Sequence, residues 1–257
     1  MNKSIFKLGA TFSLLASVAF STSAIAQDAG DMGGDMAGGM GGGMGGGMGG
    51  GMGGGMGGQQ PAEALPLGFF ITSEGTGNGA DLGGLAGADA HCQQLAEAVG
   101  AGDREWRAFL STQADGNTPA VNAIERIGSG PWANVNGVTI GANVEGLLYD
   151  NSNINYEYAL TEKGEKVGSR AMGDDVVKHD ILTGSTLQGM AYPAGEDKTC
   201  NNWTSSGEGT AAVGHSDRHR GTTPGSPWTS AHDSAGCSQE QLQSTGGDGM
   251  FYCFAAD

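Results

Sequence analysis

Apolar positions along the chain fall into three regimes. Leu8 to Phe20 is a predominantly apolar run, and Met32 to Met56 places methionine every fourth residue with almost only glycine between. From about residue 62 onward the chain has the mixed pattern of a folded domain. Within it, Leu65 to Ser73 is apolar and aromatic and reads as an opening strand. Ala88 to Val99 has helical period: Cys92, Leu95, Ala96 and Val99 share one face, and Gly100 follows as a stop. Trp106, Ala108 and Leu110 alternate as in a half-buried strand, and Val138 to Tyr149 holds a second strand candidate. The stretch from there to about residue 235 reads mostly as loop, whereas Met250 to Ala255 reads as a terminal strand with Cys253 inside it.

The two outer regimes set the organisation. Residues 1–26 have the three parts of a signal peptide: Lys3 and Lys7, the apolar run, and Ala24-Ile25-Ala26 before Gln27. The run is too short to span a bilayer and lacks a stop-transfer flank. The mature protein is therefore expected to be periplasmic or secreted, with no membrane insertion after cleavage. Residues 27–61, the Gly/Met-rich tract, cannot hold a helix, because glycine costs about 1 kcal/mol per helical position relative to alanine. The tract is expected to be a disordered tether. Its thioethers also suit Cu(I) or serve as oxidation targets, so copper handling stays open beside the plain tether. Residues 62–257 are expected to form one domain.

Charge and cysteine usage narrow the class. Net charge is −16, and removing a signal with two lysines and no acids takes it to about −18, which argues against nucleic acid or anionic membrane as partner. Cys92, Cys200, Cys237 and Cys253 all follow the signal, so they read as two disulfides. Four cysteines allow three connectivities, which spacing leaves open.

Candidate chemistry lies in the loop-rich half. Asp150, Asn151, Asn153, Asn155, Glu157 and Glu162 offer the clustered oxygens that calcium wants, with a partial EF-hand spacing; equally, they read as a loop that caps its own backbone. His215, Asp217 and His219 have zinc spacing if helical, but Gly214, Gly221 and Pro224 argue for a loop. His179-Asp180 and His232-Asp233 add to a loose His/Asp population there. No Gly-x-Ser-x-Gly, His-Glu-x-x-His or Walker motif occurs, so an enzyme is not expected. Trp228, between Pro227 and Thr229, is expected to be exposed and free to stack on a sugar ring.

The blocks Leu82-Gly-Gly-Leu-Ala-Gly-Ala-Asp-Ala-His-Cys92, Cys200-Asn-Asn-Trp203-Thr-Ser, Gly236-Cys237-Ser-Gln and Phe251-Tyr252-Cys253-Phe254 resemble the C-type-lectin-like and endostatin-like superfamily in its bacterial secreted form. The resemblance implies an α+β fold: a small mixed or antiparallel sheet, one or two helices, and long disulfide-stapled loops. It implies the pairs Cys92–Cys253 and Cys200–Cys237, and a core position for Trp203. The Glu-Pro-Asn or Gln-Pro-Asp triplet and the Trp-Asn-Asp of calcium-bridged sugar sites are absent. Non-catalytic binding of a carbohydrate or surface glycan is the implied function, with Trp228, Asp217, His215, Asn202 and His232 as contact residues. An adhesion module for an envelope protein is the alternative.

Overall fold

A computed structural model describes residues 64–149, 152–218 and 227–257, all within one contact unit, Gly58–Asp257. The signal segment, the Gly/Met tract, Asp150, Asn151 and His219 lie outside the described residues. The architecture is mixed α+β, and its centre is the longest strand, β8 (Gly247–Ala255). Strands β1 (Phe69–Ile71) and β2 (Trp106–Ala108) both pair antiparallel with the second half of β8, with Phe69 opposite Phe254 and Ala108 opposite Cys253. Strand β5 (Asp180–Leu182) runs parallel to its first half, and β6 (Ala212–His215) and β7 (His232–Asp233) extend the sheet from β5. Strands β3 (Trp132–Ala133) and β4 (Thr139–Gly141) form a separate ribbon.

Alternation along β8 divides the interior in two, because successive side chains point to opposite faces. Phe251, Cys253 and Ala255 join one core with Phe70, Trp106, Trp203 and helix α1 (Gly84–Ala98). Met250, Tyr252 and Phe254 join the other, with Phe69, Phe109, Trp132 and Trp228. Helix α1 begins four residues before the predicted start, and Ala88, Cys92, Leu95 and Ala96 form its buried face. Val99, expected on that face, is its C-cap and is largely exposed. The disulfides join Cys92 to Cys253 and Cys200 to Cys237, the pairing that the resemblance implies. The first ties α1 to β8. No helix among the described residues is long and apolar enough to cross a membrane.

Several expectations need correction. The strand expected within 138–149 is β4, but after it Asn143 accepts a hydrogen bond from the Gly146 backbone N–H and starts a helix that was not expected, α2 (Val144–Leu148). Val144, Leu147 and Leu148 have helical spacing, and the cap decides the outcome. A further helix, α4 (Gln239–Thr245), begins with a capping box made by Ser238 and Gln241. The helical segments thus exceed the one or two expected. The segment α3 (Cys200–Trp203) is instead a left-handed turn, with all four residues at φ between 48° and 64°. The stretch from 150 to 235, expected to be mostly loop, is so among its described residues, and it also contains the short strands β5, β6 and β7.

Trp228 is also corrected: it is 1% exposed. Its Nε1–H donates to the Leu147 carbonyl at 3.1 Å, and its ring packs against Phe109 and Tyr252. The strand next to it leaves no clearance, because a Cβ on Gly214 would lie 1.6 Å from the Trp228 carbonyl oxygen. Trp228→Ala should therefore lower the unfolding free energy by about 3–5 kcal/mol in urea titration. Replacing Cys92 and Cys253 together by alanine should cost about 2–5 kcal/mol by the same measurement, because the bridge closes a long loop.

Candidate metal centre

Strand register brings the most unusual side chains together. Asp180 of β5 stands directly opposite His215 of β6. Val213, two residues before His215 and so on the same face, stands opposite His232 of β7. Asp180, His215 and His232 therefore share one face, running from β5 inside the sheet to β7 at its edge. The Asp180 Oδ1 lies 3.1 Å from His215 Nε2 and 3.4 Å from His232 Nε2. A third imidazole, His179 immediately before β5, places its Nε2 3.5 Å from the same oxygen.

Burial makes this convergence costly. The Asp180 side chain is 1% exposed. Neither of its oxygens, nor His215 Nε2, has a hydrogen-bond partner among the described residues. The 3.1 Å approach of His215 is short enough for a hydrogen bond, but its direction is not suitable, so the two groups are close without being hydrogen-bonded. A buried carboxylate in that condition normally loses several kcal/mol of solvation without full return.

A second group flanks the first and is satisfied. Asp217 accepts a hydrogen bond from the Ser169 hydroxyl and pairs with His179 Nδ1 at 2.8 Å. The rings of His179 and His215 stack with 4.6 Å between centroids and 14° between planes, while His215 and His232 meet edge-on at 70°. Ligand atoms of Asp180, His215 and His232 lie within 4.8 Å of one another, as do those of His179, His215 and Asp217. The two sets share His215. Only the first leaves its carboxylate unbonded, so it is the stronger candidate for an ion. Beneath both, Tyr252 is fully buried; burial pushes its phenol well up, opposed by the Arg218 charge and reinforced by Asp217 and Asp180.

The expected site residues divide sharply. His215 and His232 are in the convergent set, and Asp217 supports it through His179. Asn202 is a structural hub: its Oδ1 accepts from the Gln113 backbone N–H, and its Nδ2 donates to the Gln113 carbonyl. Among the described residues, the calcium candidates are engaged in separate contacts. Asn153 donates to the Thr139 carbonyl, Asn155 accepts from the Glu157 N–H, Glu157 pairs with Lys166, and buried Glu162 accepts from the backbone and hydroxyl of Ser73. Asp180 is the residue missed as a centre. Sequence offered it only as part of His179-Asp180, because strands of two to four residues are too short to show alternation.

No model of a known protein family matches the chain, and a search of curated proteins finds no match either.

The His179–Asp217 pair has a defined pH window. Burial alone pulls the His179 pKa down, but the hydrogen bond and charge of Asp217, with Asp180 adding, hold it above the usual imidazole value. For Asp217, burial pushes the carboxyl up, and the hydrogen bonds from His179 and Ser169 outweigh it, holding the carboxyl below its usual range. The contribution of His179 is full below the ordinary imidazole pKa and is lost as pH rises through the raised one. That of Asp217 is lost as pH falls through its depressed value. In chelator-treated protein, the NMR titration midpoint of His179 should lie above that of a free imidazole, and Asp217→Asn should lower it.

Proposed function

We propose that this chain is an exported, non-catalytic binding module of C-type-lectin-like architecture whose working centre is a divalent transition-metal site formed by Asp180, His215 and His232. One observation carries the reading: a buried, unbonded Asp180 oxygen faces the Nε2 atoms of His215 and His232 at 3.1 and 3.4 Å. Around an ion with bonds of about 2.0–2.1 Å, neighbouring ligands of a tetrahedron stand about 3.3–3.4 Å apart. The distances fit ligands around a cation better than they fit hydrogen bonds. Two imidazoles and one carboxylate suit zinc, whereas calcium prefers six or more oxygens. An ion here would neutralise the buried charge and join three strands at one point. The two disulfides accord with an oxidising compartment outside the cytoplasm.

Zinc titration followed by calorimetry should give one site per chain. His232→Ala, which alters the most exposed ligand, and the near-isosteric Asp180→Asn should each weaken it at least about tenfold, with near-UV circular dichroism preserved in the first. Zinc affinity unchanged in both variants would overturn the assignment.

The carbohydrate reading persists in a different place. With Trp228 in the core, the exposed aromatic beside a cleft is Tyr149, 61% accessible. It borders a depression of about 510 Å³ with Asn143, Glu145 and Asn153 around it. A ring face with amide and carboxylate neighbours suits sugar stacking and hydroxyl recognition. Glycan-array binding lost in Tyr149→Ala would support this second reading; unchanged binding would remove Tyr149 from it.

A further inference from the structure

We infer that the metal held by Asp180, His215 and His232 keeps a coordination position open on the His232 side and takes there a small monodentate anionic ligand of the carboxylate or azide type. This rests on the metal reading above and adds what the ion would do: recruit a ligand from solution, in contrast to a purely structural closed site.

Ring geometry decides which residues can meet at one ion. An imidazole nitrogen directs its lone pair in the plane of its ring, so two rings reach one ion only if their planes cross near it. His215 and His232 cross at 70°, and their nitrogens belong with Asp180 to one convergent set. His179 and His215 lie almost parallel, at 14° with centroids 4.6 Å apart. In-plane lone pairs from nearly parallel stacked rings do not converge, so His179 does not close the site as a fourth ligand, despite its Nε2 lying 3.5 Å from Asp180. Its Nδ1 is already fixed on Asp217. His179 is thus a positioning residue, a flat support against which the His215 ring rests.

Exposure gives the open position its direction. The Asp180 side chain is 1% exposed, that of His215 16%, and that of His232 40%. The carboxylate anchors the ion from inside, and the side toward His232 faces solvent. The described residues supply three ligands to this set, and three protein ligands plus an exchangeable position is the arrangement that lets zinc bind water or an incoming ligand, whereas structural zinc sites present four protein ligands. The incoming group must be compact and negatively charged to favour a cationic centre beside a buried carboxylate and two neutral imidazoles.

The test uses the mature chain with both disulfides intact, loaded with Co(II) as a coloured substitute for zinc. Titration with sodium azide, and separately with acetate, should shift the visible absorption bands and saturate at one anion per bound cobalt. His179→Ala should weaken cobalt binding, because the His215 ring loses its support, yet retain the anion-dependent shift once the site is loaded. Bound cobalt whose spectrum ignores both anions would overturn the inference while leaving the metal reading intact. A response that appears only once His179 is removed would also overturn it, by showing that His179 closes the site. Failure of the wild-type chain to bind cobalt or zinc at all would overturn the metal reading itself and this inference with it.

Discussion

The pairing of β8 with three partners is the constraint on which the rest of the structure depends. One nine-residue strand carries β1 and β2 along its second half and β5 along its first. Its alternating side chains supply both cores, so each face of the sheet takes its apolar filling from the same segment. The Cys92–Cys253 bridge then pins α1 to that strand. Remaining elements are short and derive their order from contact with this centre. Loops can therefore run long in the other half of the domain without loosening the frame.

The candidate metal centre follows from how that frame is extended. Strand β5 is fixed by β8, and β6 and β7 are added outward from it. The burial that comes with a position beside β8 makes Asp180 a buried charge, and the outward strands bring histidines of increasing exposure toward it. A carboxylate held in low dielectric gains more from an opposite charge than one in water does. The same burial that makes Asp180 costly in the bare chain would make it an effective ligand. Asp217 and Ser169 do the complementary work, holding His179 flat against His215.

Legibility in the sequence tracked element length and local signals. The terminal strand, the opening strand, the strand at Trp106 and the α1 helix were readable because apolar periodicity persists across them. Their boundaries moved where glycine allowed a helix to begin earlier, as at Gly84 after Gly83 with φ 74°. Helix α4 was not read, because seven residues show little periodicity and its capping box at Ser238 and Gln241 was overlooked. Trp228 was misread because its neighbours Pro227 and Thr229 look like loop, while its burial comes from Phe109, Leu147 and Tyr252, all remote in sequence. Asp180 shows the same limit. Its partners lie on β6 and β7, and only strand register brings them together.

The position of β8 in the chain governs when the domain can form. It is the last described element to be synthesised, yet β1, β2 and β5 pair with it directly, and β6 and β7 extend outward from β5. Until it emerges, Phe69-Phe70-Ile71 has no strand to pair with, and Cys92 waits for a partner 161 residues away. Contacts that remote close slowly, and unpaired apolar edges are open to wrong partners in the meantime. The main sheet thus cannot close, nor the long loop be sealed, until β8 has been made.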